Sequence, residues 1–241
     1  MKKSFRNIFI LGGHKLAVSY YDKISKAKAA GQIDYDRLFC VTDDLDAHAY
    51  RHVPRPDVIS KSYSQFILEI LSDPETVSPY DTVVPDHTAK HVMLQVFLGF
   101  VAKRFANYET HLKPFVSDLN TPFLYKSEND ALWAMSYATW SCPPDCDEPA
   151  ICPHIAAPRT WDFFRTIPQI VKSLSQNASV HLFGCEPLVV EISHLSLPKI
   201  ADELKAFEAR LTGPLPVTVL IATHSRCHGI LGCFELNSTN N

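Results

Sequence analysis

Residues 7–13 read Asn7-Ile-Phe-Ile-Leu-Gly-Gly13, a short apolar run that ends at a glycine pair. A continuous apolar run of this length predicts a strand that is buried on both faces of a parallel sheet. Downstream of it, helical and strand patterns alternate over 15–30, 37–41, 63–71, 80–85 and 88–103. Such alternation predicts a parallel sheet whose crossover helices cover both faces.

This portion resembles a Rossmann-type nucleotide-binding fold, in which ligands bind at the carboxyl ends of the strands. The candidate cofactor-binding residues at that edge are Gly12, Gly13, His14 and Asp43. The G-x-G-x-x-G fingerprint is not matched, because the run from residue 12 reads Gly-Gly-His-Lys-Leu-Ala. The residues therefore fit either a nucleotide site or a tight turn in a scaffold without one.

Further polar residues follow the strand pattern over 80–85. Asp86, His87 and His91 begin the next helical pattern. The two histidines are four residues apart and would share one helical face, where they could approach a ligand or metal together. The other interpretation is that Asp86 caps the helix.

The length of 241 residues suits two modest domains, which we place at 1–120 and 121–241. In the second, Ser127–Asp130 resembles a capping box and predicts a helix over 131–137. Strands are predicted over 179–183, 188–192, 216–223 and 230–234, and an amphipathic helix over 199–211. The predicted fold class is α/β, with a Rossmann-like parallel sheet in the N-terminal half and a C-terminal α/β portion that carries a cysteine-rich metal loop.

That loop contains Cys142, Cys146 and Cys152 at C-x3-C-x5-C spacing, among four prolines at 143, 144, 149 and 153. Proline stiffens the backbone, and clustered thiols in a reducing compartment favour metals over disulfides. Through its Cys152-Pro153 ending the loop resembles iron–sulfur proteins, although the spacing matches neither the bacterial ferredoxin run nor a zinc ribbon. A 4Fe–4S cluster is the predicted cofactor, with zinc as the alternative.

A fourth ligand is needed for a closed tetrahedral zinc site or a fully protein-ligated four-iron cluster. Cys227, after the apolar strand over 216–223, is the preferred candidate. Cys185 and Cys233 are the competitors, whereas Cys40 lies inside a predicted strand and is expected to be core. A site completed instead by His224, His228 or a substrate would favour an enzyme over an electron carrier.

Composition excludes several classes of function. The formal net charge of −3 and the lack of a long basic run argue against nucleic-acid binding. No apolar stretch reaches the roughly 20 residues that span a bilayer, and no signal peptide is apparent. An odd count of seven cysteines fits a disulfide framework poorly, so a cytoplasmic location is expected.

Three functions are compatible with these residues. The first is an α/β protein that binds an iron–sulfur cluster or metal between its two halves and acts on a small molecule there. The alternative is a zinc-stabilised Rossmann-like protein that binds a small ligand or nucleotide without catalysis. The third is a cysteine-nucleophile enzyme that uses Cys227 with His224 or His228. The sequence leaves catalysis and oligomeric state open.

Overall fold

The computed structural model describes residues 3–44, 46–72, 77–86, 91–113, 121–127, 132–140, 148–167, 177–211, 213 and 215–239. The helices are α1 (Lys15–Ala29), α2 (Ala49–His52), α3 (Tyr63–Ser72), α4 (Val92–Arg104) and α5 (Leu197–Arg210). The strands are β1 (Lys3–Leu11), β2 (Ile33–Thr42), β3 (Val58–Ser60), β4 (Thr82–Pro85), β5 (Tyr108–Leu112), β6 (Phe123–Lys126), β7 (Leu132–Ser136), β8 (Ile151–Cys152), β9 (Ala157–Pro158), β10 (Ala178–Gly184), β11 (Glu186–Val189), β12 (Ile192–Ser196), β13 (Val217–His224) and β14 (His228–Ser238).

The chain divides into two compact units, each built from two segments. The first comprises 1–92 and 186–202, and the second comprises 93–185 and 203–241. The units therefore interleave along the chain, whereas the division expected from the sequence places a single boundary at residue 120. The mixed α/β class is confirmed.

The first unit is organised around a six-stranded sheet in the order β11-β12-β4-β1-β2-β3. Strands β4, β1 and β2 are parallel, as the alternating pattern predicted, and β3, which was not predicted, joins β2 in the same direction. The sheet as a whole is mixed, because β12 joins β4 antiparallel and forms a hairpin with β11. The predicted single strand over 188–192 is wrong, since a turn at Val190 and Glu191 divides it between these two strands.

The central strand β1 has the burial that its apolar run predicted. Ile8, Phe9, Ile10 and Leu11 are all buried, so both faces of the strand are covered. Helix α1 buries one face through residues spaced three and four apart, Ala17, Tyr20, Ile24 and Ala27. These side chains pack with Ile8 and Ile10 of β1 in one hydrophobic cluster.

Gly31 ends helix α1, directly after the helical pattern over 15–30. Its φ of +70° is the left-handed conformation that favours glycine. Gly31 donates its N–H to the carbonyl of Lys28, and Gln32 donates to that of Ala27, both at 2.9 Å. This pair of bonds is a Schellman motif, which satisfies carbonyls that the helix end would otherwise leave open.

The second unit is organised around a sheet in the order β10-β13-β14-β7-β6, with β5 also paired to β14. Only β10 and β13 are parallel among its described pairs, and the others are antiparallel. Strands β8 and β9 form a separate two-stranded hairpin. The helix predicted over 131–137 is wrong, because residues 132–136 form strand β7.

The reason for this error lies at Ser127. Its Oγ accepts the backbone N–H of Leu132 at 3.2 Å, and its own N–H donates to the Leu132 carbonyl at 2.9 Å. Ser127, directly after β6, thus pairs with Leu132 at the start of β7 instead of capping a helix. Trp133 and Met135 alternate with less buried neighbours, which is the period of a strand.

Among the described residues, no helix has the length and apolar character needed to cross a membrane.

A buried histidine makes the stability of the first unit depend on pH. The Thr82 hydroxyl donates to the Leu195 carbonyl at 2.7 Å, so its oxygen accepts the Nδ1–H of His194 at 2.6 Å. Burial, with a smaller contribution from the charge of Lys3, lowers the pKa of His194 from 6.5 to about 4, although the charge of Glu186 opposes the shift. His194 therefore stays neutral in the fold where the unfolded chain already binds a proton.

We expect the contribution of His194 to be complete above its unfolded pKa and lost as the pH falls toward about 4, by about 3 kcal/mol in total. Urea unfolding at neutral and at mildly acidic pH measures this loss. A His194→Gln variant cannot titrate and should lose correspondingly less stability between the two conditions. Equal losses in the parent and the variant would contradict this assignment.

Candidate thiolate site

The thiol of Cys227 is held by two N–H donors. Cys227 lies in the turn between β13 and β14 and is buried, with 4% of its surface exposed. Its Sγ accepts hydrogen bonds from Arg159 Nε at 3.2 Å and from Trp161 Nε1 at 3.3 Å. Hydrogen bonds of this kind stabilise a sulfur that carries negative charge.

Glu148 and neighbouring backbone groups fix the position of this turn. The Glu148 carboxylate accepts the backbone N–H of Arg226 at 2.8 Å and that of Cys227 at 3.3 Å. Tyr137 donates its N–H to the Cys227 carbonyl at 3.0 Å, and Phe163 donates to the Arg226 carbonyl at 3.2 Å. The end of the cysteine loop and the segment after it therefore pack directly on the β13–β14 turn.

Cys152 lies in the same neighbourhood. It belongs to β8, pairs with Ala157 and is 3% exposed. Backbone hydrogen bonds from Ile155 and His154 lower the pKa of its thiol, with a smaller contribution from the charge of Arg159, although burial opposes the shift. One thiol of the predicted ligand set is thus biased toward the thiolate.

Arg159 interacts electrostatically with both described thiols of the predicted set. The charges of Cys227, Cys152 and Glu148 all favour its protonated form. Burial raises the pKa of Cys227, and the charge of Glu148 adds to that, whereas Trp161 and Arg159 lower it. A negative charge on either sulfur would be offset by this guanidinium.

The histidines proposed as partners of Cys227 have other contacts. His224 is buried at the end of β13, donates from Nδ1 to the Ser225 carbonyl at 3.0 Å and meets Phe164 edge to face. His228 is exposed, and its Nδ1 lies 2.8 Å from the Ser136 hydroxyl. Both residues flank the Cys227 turn without a described hydrogen bond to its sulfur.

The remaining described cysteines differ in their surroundings. Cys40 lies in β2 with none of its surface exposed, and burial raises its pKa to about 12, which fits the predicted core role. Burial likewise raises the pKa of Cys233 to about 11. Cys185 follows β10, is partly exposed and donates its N–H to the His224 carbonyl at 2.8 Å. Cys185 thus ends its strand beside the Cys227 hairpin.

Two of the predicted ligands, Cys142 and Cys146, lie outside the described residues. Within the described part of the chain, no group of three or more His, Cys, Asp or Glu residues is placed to hold a metal ion. The sequence pattern did not identify Glu148 or the indole N–H of Trp161 as partners of the Cys227 turn. Neither residue type carries a spacing signal that could have done so.

The first sheet gathers its predicted ligand residues at one edge. Gly12, Gly13 and His14 follow β1, Asp43 follows the adjacent β2, and Asp86 follows β4 on the other side. The space beside each glycine is filled from within the protein. A Cβ on Gly12 would overlap the Asp86 carboxylate, and one on Gly13 would come within 2.7 Å of the Ala47 Cβ.

These glycines therefore permit close internal packing. His14 begins α1 with no side-chain capping bond, and Asp43 is exposed. The predicted pairing of His87 with His91 involves a residue outside the described range, and His91 itself is buried with a φ of 33°.

The chain belongs to the family described as AF_1314_C, uncharacterized protein, C-terminal domain, whose model matches residues 89–237. No curated protein and no solved structure matches the chain. The matched span contains the whole cysteine loop and Cys227. The family description assigns no activity.

Proposed function

We propose that the chain binds an iron–sulfur cluster, or alternatively a zinc ion, through Cys142, Cys146, Cys152 and Cys227. The observation that carries this proposal is the paired N–H donation from Arg159 and Trp161 to the Cys227 sulfur. Such donors are characteristic of the surroundings of metal-bound thiolates, whose charge and potential they tune. The buried position of Cys152 near the same guanidinium supports it.

Charge balance gives Arg159 a role beside the proposed site. A site of four thiolates carries more negative charge than the metal ion or cluster offsets, and a buried excess charge is costly. Arg159 supplies one fixed positive charge, and the aromatic rings of Trp161 and Tyr137, stacked at 6.1 Å, limit access of water. This environment suits a cluster, which is why the iron–sulfur form is preferred to zinc.

Whether the site is catalytic depends on the fourth ligand. If Cys227 is bound, the protein ligands close the site and favour an electron-transfer or structural role. If Cys227 is displaced, an open iron could bind a small molecule, and the N–H groups of Arg159 and Trp161 would face it. The proposed substrate class is accordingly a small molecule, with no role for nucleic acid or membrane.

A Cys227→Ser variant should lower the metal content of the purified protein at least about tenfold, because a hydroxyl is a poor replacement for a soft thiolate. The matched control is Cys40→Ser, which makes the same chemical change in the core of β2. Elemental analysis of anaerobically prepared protein gives the result. Equal metal retention in both variants would exclude Cys227 and direct attention to Cys185 or Cys233.

We also propose that the first unit is Rossmann-like and that its sheet edge accepts a small ligand. The support is the run of four adjacent parallel strands, whose carboxyl ends bring together Gly12, Asp43 and Asp86. Ligands of open α/β sheets bind at that edge. A thermal-shift panel of adenine nucleotides tests this, and the absence of any shift would count against a nucleotide ligand.

A further inference from the structure

Three side chains of the second unit form a hydrogen-bonded chain away from the cysteines. Ser179 Oγ lies 2.9 Å from His181 Nε2, and His181 Nδ1 lies 2.8 Å from the carboxylate of Glu203. Ser179 and His181 come from β10, and Glu203 comes from α5. The order of atoms is that of a Ser-His-acid triad, with the hydroxyl on Nε2 and the carboxylate on Nδ1.

The strand and its neighbours hold these groups in place. Residues two apart on a strand point to the same face, so Ser179 and His181 share one face of β10, where both are buried. The His181 ring packs against Phe97 at 4.8 Å and against Phe207 at 5.4 Å between centroids. A ring held by two aromatic side chains cannot turn away from its hydrogen-bond partners.

The hydrogen bonds determine which group carries the proton. A Glu203 carboxylate can only accept, so His181 donates from Nδ1 and presents an unprotonated Nε2 to Ser179. The Ser179 hydroxyl then donates to Nε2. Burial lowers the pKa of His181 while Glu203 opposes the shift. A neutral imidazole is the form that can accept a proton from serine.

We propose that Ser179 is a nucleophile activated by His181 as general base, with Glu203 as the positioning residue, and that this site cleaves small acyl esters. Ser179 Oγ would bond to the acyl carbon while its proton passes to His181 Nε2. The C–O bond to the leaving alcohol then breaks, and His181 returns the proton to that alcohol. Water, deprotonated by His181, attacks the acyl-serine in the same way and releases the acid and free Ser179.

A second serine–histidine pair in the same unit provides the matched control. Ser136 Oγ lies 2.8 Å from His228 Nδ1. Ser136 is 8% exposed and Ser179 is 7% exposed, so the two serines are buried to the same degree. The Ser136 hydroxyl donates its proton to the Ala138 carbonyl at 2.9 Å, so that proton is not directed to His228. Ser136 should therefore be unreactive where Ser179 reacts.

The test is labelling of the full-length chain with a fluorophosphonate probe, followed by peptide mapping. We expect the adduct on Ser179, no labelling of Ser179→Ala, and unchanged labelling of Ser136→Ala. His181→Gln should slow labelling by about 100-fold or more. An unlabelled parent chain, or an adduct on another residue, would overturn the proposal. The mapping uses the parent protein, so its outcome does not depend on the folding of any variant.

Glu203 needs a test that a purely structural role would not pass. Glu203→Gln should slow labelling about 100-fold or more and alter its pH profile, because the amide no longer fixes the His181 tautomer. Glu203→Asp should recover part of the rate. The control is Glu208→Gln, on the same helix as Glu203, which removes an exposed ion pair with Arg104 of α4. A pH profile left unchanged by Glu203→Gln would remove Glu203 from the site.

Discussion

Serine in place of Cys142, Cys146 and Cys152 together should reduce the metal content of the protein by well over tenfold and lower its Tm. Hydroxyl groups bind zinc and iron weakly compared with thiolates, and the affinity lost on removing three of four ligands is lost from folding as well. The measurements are elemental analysis, the visible absorption spectrum and a thermal melt under anaerobic conditions.

The control for this variant is Cys40→Ser, which should retain the metal of the parent because Cys40 lies in the core of the first unit. A second comparison is Arg159→Met, which keeps all four proposed cysteine ligands but removes one N–H donor to the Cys227 sulfur. It should retain metal and change the absorption or the potential of a cluster. Metal content in the triple variant equal to that of the parent would refute the cysteine-loop assignment.

Alanine at Gly12 should destabilise the protein by about 3 kcal/mol or more. The added methyl group would overlap the side-chain carboxylate of Asp86. Asp86 is buried directly after β4, and its backbone N–H donates to the Leu11 carbonyl at 3.2 Å. Neither backbone can move without breaking the pairing of β1 with β4. Equilibrium urea unfolding measures the loss.

Gly31→Ala is the matched control for this substitution. A Cβ there meets nothing within 4 Å, but φ is +70°, so the expected cost is only the backbone strain of about 1 kcal/mol. If the two variants lose the same stability, close approach at Gly12 is not the reason for its glycine.

The elements that the sequence predicted correctly are those specified by local patterns. The apolar run of β1 required burial on both faces, and the three-and-four spacing of buried residues in α1 required a helix. Gly31 supplied the left-handed conformation that a Schellman ending favours. Each of these features depends on neighbouring residues in the chain.

The errors arose where one local signal fits two structures. Ser127 carries the same hydroxyl whether it caps a helix or bonds to a neighbouring strand, and only its pairing with Leu132 decides between them. The turn at Glu191 has a φ of 67° without a glycine to signal it. Pairing of β12 with β4 is a long-range contact that no local pattern specifies.

The candidate site shows the same limit. Cysteine spacing made Cys152 a candidate ligand, and its place after an apolar strand made Cys227 a candidate, but the position of Cys227 beside Arg159 and Trp161 depends on how the second unit folds. Glu148, which fixes the Cys227 turn through two backbone N–H groups, gave no sequence signal. The sequence also did not predict the hydrogen bonds that join Ser179, His181 and Glu203. Glu203 reaches β10 from helix α5, which follows two further strands.

The most direct test of the metal proposal is the metal and sulfide content of the full-length chain purified without oxygen, measured together with its visible spectrum. The proposal predicts brown protein with iron and acid-labile sulfide in comparable amounts, or colourless protein with stoichiometric zinc in the alternative form. Protein that carries neither metal after growth with both supplied, and that takes up neither on reconstitution, would contradict it.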